Sequence, residues 1–248
     1  MQTVACFDVW GTLIIPDREG FIKHICEHVS DTLRRYGIEV RLDKLVKAFS
    51  EADREVRERR RRECSLIPPE ECVRVFLEKV LGKGVSLDIV DDVEDTICRA
   101  VETSPHVRPA DAVLDVLSMF RNGGHRLAIV SNIVFWRSSA TRRVLRRFGL
   151  SMFDLEVYAD VVKEVKPSTR MLRIVENLLN SKVIIHVGDS LFEDVAMAIA
   201  YNVPAVFIDR KGQILNENER FRLELGGRVV VVRELKDLLK VDLNSLVR

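Results

Sequence analysis

The stretch "VACFDVWGTL", residues 4–13, is an apolar run interrupted by a single carboxylate. Residues 3–9 are apolar on both faces until Asp8, which predicts a short buried strand. Gly11 and Thr12 follow, and a Gly-Thr pair at this point is typical of a turn. Trp10 stands two places after the carboxylate. The run therefore predicts a strand that carries Asp8 to the start of a turn.

Strand and helix patterns alternate from Pro105 to the end of the chain. The predicted strands are "HRLAIVSN", "LEVYAD", "KVIIHVGD", "PAVFID" and "RVVVV". Helical patterns lie between and after them, at about 110–122, 137–148, 168–180, 193–202 and 233–240. Such alternation is typical of a parallel sheet with helices on both faces. We therefore predict an α/β fold, with a three-layer, Rossmann-like parallel sheet as its core.

The segment from about 20 to 103 has a different character. Four stretches carry apolar residues at three- and four-residue spacing, which predicts amphipathic helices. Breaks between them fall at Gly37, at Pro68-Pro69 and at Gly82. The first strand is thus separated from the rest of its sheet by an all-helical insertion. The predicted domains are a discontinuous core, 1–14 and 106–248, and a helical domain, 15–105.

Composition excludes several classes of protein. The 248 residues carry a formal net charge of +1, so no overall field favours nucleic acid or a membrane surface. No apolar stretch reaches the roughly 18–20 residues that a membrane-spanning helix needs. The N-terminus lacks a basic n-region, so we expect no signal peptide and a cytoplasmic protein, monomeric or homodimeric. Glutamine is scarce while Lys, Arg and Glu abound, as in heat-adapted proteins.

Two local patterns have simple interpretations. The run "RERRRREC", residues 57–64, is interleaved with glutamates, which favours a solvated helix face over a nucleic-acid patch. The five cysteines are odd in number and form no C-x-x-C, which favours reduced thiols. A bridge between Cys64 and Cys72 is the alternative.

Polar side chains follow several of the predicted strands. In open α/β sheets functional groups gather at the carboxyl ends of strands. Those ends carry Asp8, the pair Ser131 and Asn132, a lysine at 163 or 166, and the acids Asp189 and Asp194. The set suits phosphoryl transfer: a carboxylate attacks phosphorus, while a lysine and a hydroxyl neutralise the transferred group. The paired acids suit Mg²⁺, which binds a few carboxylates and keeps several waters.

Four stretches in order carry a resemblance to a known family. "FDVWGTL", "LAIVSN", "VKPS" and "HVGDSLFED" resemble the motifs of the haloacid dehalogenase superfamily of aspartate-nucleophile hydrolases. The helical insertion after the first motif is similar to the family's type 1 cap. The resemblance spans the core on both sides of the insertion. It implies a Mg²⁺-dependent hydrolase that acts on a small phosphorylated substrate through an aspartyl-phosphate.

The resemblance also implies a role for each matching residue. Asp8 is the implied nucleophile, with Gly11 and Thr12 shaping the turn behind it. Ser131 is expected to bind a phosphoryl oxygen, with Asn132 beside it. Lys166, in preference to Lys163, is expected to pair with the nucleophile and the phosphate. Asp189 is expected to contact the metal directly, and Asp194 to contact the metal or orient its waters. The backbone carbonyl of Trp10 is the remaining implied metal ligand.

Trp10 departs from the family's pattern. Family phosphatases carry a carboxylate there that protonates the leaving group and deprotonates the attacking water. An indole does neither, and general acid–base catalysis is typically worth ~10²–10⁴-fold in rate. A phosphatase remains the preferred hypothesis, with a leaving group that needs no proton or with an acid supplied by His24, His28 or His106.

Two alternatives stay open. The family's 2-haloacid dehalogenases use the same nucleophile on carbon and need no acid, since halide departs unprotonated. They are metal-free and typically lack the Gly-Asp that this chain keeps. The other alternative is a non-catalytic relative that binds a phosphorylated ligand or a protein. A phosphonate-cleaving variant would need a lysine in the insertion, for which Lys23, Lys44 and Lys47 are available.

Overall fold

A computed structural model of the chain describes residues 2–242 and divides them into two compact units. The α/β unit comprises Pro109–Asn132 and the described parts of Met1–Ile15 and Leu150–Arg248. The helical unit comprises Pro16–Arg108 and Ile133–Gly149.

The strands occupy short apolar runs of the sequence. Their bounds are β1 (Thr3–Phe7), β2 (Ile14–Pro16), β3 (Val107–Pro109), β4 (Arg126–Ser131), β5 (Leu155–Tyr158), β6 (Lys182–Gly188), β7 (Ala205–Ile208), β8 (Phe221–Glu224) and β9 (Val229–Val232). Seven of them form one sheet in the order β5-β4-β1-β6-β7-β9-β8, and β2 pairs with β3. In the seven-stranded sheet every neighbouring pair is parallel except β8 and β9.

The helices alternate with the strands outside the insertion. Their bounds are α1 (Arg18–Arg35), α2 (Leu42–Glu63), α3 (Pro69–Leu81), α4 (Leu87–Thr103), α5 (Val113–Asn122), α6 (Ser138–Arg147), α7 (Ala159–Val162), α8 (Arg170–Leu179) and α9 (Ala196–Ala200). A π-helical turn at Leu191–Val195 leads into α9, and 3₁₀ turns lie at Leu225–Gly227 and Leu235–Lys240.

The predicted fold class is confirmed, because a mostly parallel sheet alternates with helices in a Rossmann-like arrangement. The central strands are buried throughout: β1 is covered from Val4 onward, and all of Val229–Val232 is buried. Near-continuous apolar runs are what strands buried on both faces require. The edge strand β8 was not predicted, because its sequence "FRLE" is only four residues long and is half-exposed.

Two predicted helices differ locally from regular α-helices. The helix expected at 193–202 begins with the π-helical turn, inside which Asp194 lies buried. The C-terminal helix expected at 233–240 is 3₁₀, and Glu234 and Asp237 cap it reciprocally. Periodicity of apolar residues does not separate these helix types, because the apolar spacings of the three helices overlap.

The helical unit contains the four predicted amphipathic helices, α1 to α4. Segment 133–149, which the sequence analysis assigned to the core, groups with this unit instead. Polar and apolar contacts accompany the grouping: Arg137 lies 3.1 Å from Glu94, Arg143 lies 2.7 Å from Glu102, and the rings of Phe135 and Phe49 are 4.5 Å apart. The amphipathic pattern of α6 predicted a helix correctly but did not identify the acidic partners on α4.

Two further observations bear on the sequence analysis. No helix within residues 2–242 is long and apolar enough to cross a membrane. All five cysteines carry free thiols, four of them buried, so the alternative bridge between Cys64 and Cys72 is not formed.

Candidate active site

The sheet order brings three predicted site residues to one edge. β1 lies between β4 and β6. Asp8 directly follows β1, Ser131 ends β4, and Asp189 directly follows β6. Because the three strands run parallel, their carboxyl ends meet at the same edge of the sheet. The backbone N–H of Asp8 also donates to the carbonyl of Val187, 2.9 Å away, which extends the pairing with β6 up to the site.

Lys166 connects two of the carboxylates. Its Nζ donates to Asp8 Oδ1 and to Asp194 Oδ1, at 2.7 Å each. All three side chains are buried, and that of Lys166 is only 1% exposed. Lys163, the alternative lysine, is exposed. The structure therefore selects Lys166 as the cation of the acidic cluster formed by Asp8, Asp189 and Asp194.

Asp194 is held by three donors. Besides Lys166, it contacts Nε2 of His186 at 2.8 Å through Oδ1, and it accepts from the backbone N–H of Ser190 at 3.0 Å through Oδ2. A Cβ on Gly188 would lie 2.1 Å from the Asp194 Cγ, so this close approach needs glycine. With its oxygens so engaged, Asp194 is suited to orienting neighbouring groups.

Asn132 positions the lysine rather than facing the cluster directly. Its Oδ1 accepts from the Lys166 backbone N–H at 2.9 Å, and its Nδ2 donates to the Lys166 carbonyl at 3.3 Å. The preceding Ser131 is buried, its hydroxyl donates to the Asn132 carbonyl at 3.4 Å, and it acts to lower the pKa of Asp8. Asn132, directly after β4, thus fixes the backbone of Lys166, while Ser131 at the end of β4 acts on Asp8.

The turn after Asp8 is built around Gly11. Its φ is +84°, and a Cβ there would lie 2.2 Å from Asp189 Oδ2, so glycine is required twice over. The Gly11 N–H donates to the Ile14 carbonyl at 2.8 Å, and Trp10 pairs with Ile14 in an isolated bridge. The buried Thr12 hydroxyl lies behind the turn with no hydrogen-bond partner among the described residues.

Burial and mutual repulsion shift the pKa values of the cluster. Burial raises the pKa of Asp8, and Asp194 adds to the rise, while Lys166 and Ser131 oppose it. Burial raises the pKa of Asp189 to about 7, with the charges of Asp8 and Asp194 contributing. Burial also acts to raise the pKa of Asp194, but Lys166 and His186 outweigh it and the net shift is downward. Within the cluster, Asp189 is the carboxylate that Lys166 does not hydrogen-bond.

The donor set fits a hard divalent cation. Oxygen atoms of Asp8, Asp189 and Asp194 lie within 4.8 Å of one another, and no other such group of acids, histidines or cysteines occurs within residues 2–242. One lysine faces three carboxylates, so the cluster carries excess negative charge. No donor within the described chain hydrogen-bonds the Asp189 carboxylate. Asp189 is half-buried, and a carboxylate oxygen of this kind is a ligand type that Mg²⁺ binds.

A family comparison agrees with this geometry. The family model described as haloacid dehalogenase-like hydrolase matches residues 3–202, most of the chain. The chain belongs to the haloacid dehalogenase-like hydrolases. The match begins with β1 and ends beyond Asp194, so it includes all the residues of the acidic cluster and Lys166. No curated protein sequence matches the chain.

Solved structures of haloacid dehalogenase-like hydrolases share the fold at low sequence identity. The HAD-hydrolase YfnB from Bacillus subtilis, bound to magnesium, has a TM-score of 0.67 at 16% identity, covering 96% of this chain and 97% of that one. The HAD phosphatase from Thermococcus onnurineus scores 0.63 at 21% identity, covering 97% of each. The 2-haloacid dehalogenase from Pseudomonas syringae pv. Tomato DC3000 scores 0.63 at 17% identity, also covering 97% of each. These likenesses show the fold of the family.

The three histidines considered as acids form a group inside the helical unit. The rings of His24 and His28 are 4.4 Å apart, and those of His24 and His106 are 6.2 Å apart. His28 Nδ1 lies 2.9 Å from the His24 carbonyl, and His106 Nδ1 lies 3.5 Å from Asp17. Burial, with the two neighbouring imidazoles, lowers the pKa of His24. A role for these side chains as acids stays a prediction.

Sequence reasoning missed two residues of the site of this hydrolase. His186 lies inside β6, where a polar side chain in a buried strand needs a partner, and that requirement is the signal that was available. Arg210 follows β7, donates from Nη1 to the Gly11 carbonyl, and lies 2.8 Å from Glu234 through Nε. Its charge also opposes the rise in the pKa of Asp189. The signal for Arg210 was its position at a strand's carboxyl end.

Asp189→Asn is expected to make the metal-free protein more heat-stable and to remove its response to Mg²⁺. At pH 8 the substitution removes one of three mutually repelling carboxylates. In the wild-type protein, Mg²⁺ at 100 times its Kd should add about 2.7 kcal/mol of stability. Thermal unfolding with Mg²⁺ and with chelator measures both effects. Glu217→Gln, an exposed carboxylate of the same unit, is the control and should behave as wild type.

His186→Leu is expected to lower the free energy of unfolding by roughly 1–3 kcal/mol, because it removes a buried donor from Asp194. His186→Gln returns a nitrogen near the Nε2 position and should recover part of the loss in stability and turnover. Denaturant unfolding measures the loss of stability, and kcat/KM measures the loss of turnover. Equal stability of the leucine and glutamine variants would show that the contact with Asp194 contributes nothing.

Proposed function

We propose that this hydrolase is a Mg²⁺-dependent phosphohydrolase that acts on a small phosphorylated molecule through an aspartyl-phosphate at Asp8. The observation that carries the proposal is the acidic cluster of three carboxylates, of which Lys166 bonds only Asp8 and Asp194. A metal-free reaction would leave the half-buried Asp189 beside two like charges. A cation relieves that repulsion and lets an anionic phosphate approach anionic Asp8.

The residues divide the chemistry between them. Asp8 attacks phosphorus, and the Ser131 hydroxyl and Lys166 face the charge that spreads over the transferred group. Asp8 and Asp189 would hold the cation by carboxylate oxygens, with the Trp10 carbonyl as the backbone ligand, and Asp194 would bind it or orient its waters. When bound, Mg²⁺ supplies charge neutralisation to the phosphoryl oxygens. YfnB, a structural neighbour, was solved bound to magnesium, which agrees with the proposal.

Lys166 also keeps Asp8 ready to attack. Its ammonium stabilises the ionised carboxylate, and Asn132 fixes the lysine backbone on the other side. Because Asp194 accepts from the same Nζ, the ammonium is held between two carboxylates rather than free to follow one. The expected result is a nucleophile that is oriented before substrate arrives, which lowers the entropic cost of the reaction.

A second candidate function is metal-independent 2-haloacid dehalogenation. Trp10 favours it, because halide leaves carbon without a proton and needs no acid at this position. The acidic cluster argues against it, since without a cation nothing within residues 2–242 bonds the Asp189 carboxylate beside its two like charges. A non-catalytic relative that binds phosphorylated ligands is the third hypothesis.

A paired assay separates these functions. Release of phosphate from an aryl phosphate is measured with Mg²⁺ and with chelator, and release of chloride from a 2-chloro acid is measured under the same conditions. The proposal expects phosphate release that requires Mg²⁺ and disappears in Asp8→Asn. Metal-independent chloride release would support the dehalogenase. No turnover of either kind, together with Mg²⁺ or phosphate binding by calorimetry, would support the binding protein.

A further inference from the structure

The ionisable side chains of the site are all committed to other tasks. Lys166 bonds two buried carboxylates, and giving up its proton would leave both without their cation. His186 is fully buried against Asp194. Arg210 bonds the Gly11 carbonyl and Glu234, and guanidinium groups stay protonated in proteins. None of these groups is available to protonate a departing alkoxide.

The carboxyl groups beside Asp8 are those of Asp194, which accepts hydrogen bonds from three donors, and Asp189. The Ser131 and Thr12 hydroxyls and the Trp10 indole do not release protons near neutral pH. Asp189 holds the cation in the proposed function and so carries no proton. Trp10 also has a fixed backbone position, since the turn from Val9 to Ile14 is closed by the Gly11 and Ile14 N–H groups.

We propose that the substrates are phosphoric anhydrides and esters whose leaving groups depart as stable anions, namely acyl, enol and aryl phosphates, and not alkyl phosphates. The inference rests on the proposed function. It follows from Trp10, which stands where family phosphatases carry an acid, and from the contacts that engage Lys166, His186 and Arg210. A leaving group that is a weak base needs no proton, whereas an alkoxide does.

The steps balance without a proton transfer to the leaving group. Asp8 Oδ forms a bond to phosphorus, the bond from phosphorus to the leaving oxygen breaks, and the electron pair departs with that oxygen as RO⁻. Water then attacks phosphorus, the bond to Asp8 breaks, and the products are the Asp8 carboxylate and H₂PO₄⁻. Both protons of the water leave with the phosphate.

The test is the dependence of kcat/KM on leaving-group acidity in the presence of Mg²⁺. The series comprises acetyl phosphate, aryl phosphates with phenols of graded acidity, and glycerol phosphate. We expect kcat/KM to rise steeply with the acidity of the leaving group and glycerol phosphate to be inert. The solvent deuterium isotope effect should be close to unity for the poorest aryl substrate that is turned over.

Substitutions at Trp10 provide the matched comparison. Trp10→Asp restores a proton donor. Trp10→Asn introduces a side chain of nearly the same size as aspartate that has no acidic proton. In the aspartate variant kcat/KM should depend less steeply on leaving-group acidity. This variant should hydrolyse glycerol phosphate ~10²–10⁴-fold faster than the asparagine variant. The wild-type series tests the proposal even where a variant fails to fold.

The outcomes separate this inference from the proposed function. The inference would be overturned if kcat/KM of the wild type did not depend on leaving-group acidity or showed a large solvent deuterium isotope effect. Equal rates of glycerol phosphate hydrolysis by the two Trp10 variants would also overturn it. Each result would show that another group delivers the proton. If no phosphate ester or anhydride is hydrolysed, the proposed function itself fails.

Discussion

Asp8→Asn is expected to lower turnover on the order of 10⁴–10⁶-fold, as losses of catalytic nucleophiles do. The amide has nearly the same shape but cannot form the bond to phosphorus. Lys166 keeps its bond to Asp194, and one of the three repelling carboxylates is neutralised. The variant should therefore fold at least as stably as the wild type. Phosphate release at saturating substrate and thermal unfolding of the same preparation measure the two effects.

The exposed Glu217 provides a control for this loss. Glu217→Gln removes a carboxylate of the same unit and should keep wild-type turnover. If Asp8→Asn kept a measurable fraction of wild-type turnover with a wild-type Tm, a different nucleophile would have to be sought. A low Tm instead would show that Asp8 acts in the fold as well as in the chemistry.

Lys166→Met is expected to cost both stability and activity. It leaves Asp8 and Asp194 buried without their shared cation, and breaking a buried ion pair from one side typically costs about 3–5 kcal/mol. Turnover should fall by about 10²–10³-fold, because a positive charge directed at the transferred group is lost. Denaturant unfolding and kcat measure the two losses. Lys163→Met removes an exposed lysine of the same loop and should change neither quantity.

A double variant identifies the source of the lost stability. If the cost arises from uncompensated carboxylates, Asp8→Asn combined with Lys166→Met should be more stable than Lys166→Met alone. Groups in direct contact typically show coupling energies of about 0.5–3 kcal/mol. Strictly additive losses would contradict the ion-pair explanation and point to packing of the lysine chain.

The sequence predicted the sheet and the placement of several candidate site residues at strand ends, because those features depend on local patterns. Buried parallel strands need uninterrupted apolar runs, and their carboxyl ends carry Asp8, Ser131 and Asp189 within a few residues of each run. Strand-end reading left Lys163 and Lys166 open and the family resemblance favoured Lys166, which the structure joins to Asp8 and Asp194. The hydrogen bonds between the Asn132 side chain and the Lys166 backbone were not predictable in this way, because they depend on the path of the distant loop that carries Lys166.

Long-range contacts explain what the sequence did not predict. The grouping of residues 133–149 with the helical unit depends on acids of α4 about 40 positions away, Glu94 and Glu102. Arg210 reaches the turn after Asp8 only because β7 lies next to β6 in the sheet. Local periodicity contains no information about such partners, and neither does the spacing of the motifs.

The most direct test of the central claim is to map the covalent intermediate. The protein is mixed with Mg²⁺ and acetyl phosphate, quenched in acid, digested and examined by mass spectrometry. The proposed mechanism predicts a phosphoryl group on the peptide that contains Asp8, absent when chelator replaces Mg²⁺ and absent in Asp8→Asn. Turnover of the substrate with a phosphoryl group on another residue, or with no phosphorylated peptide at any quench time, would contradict it.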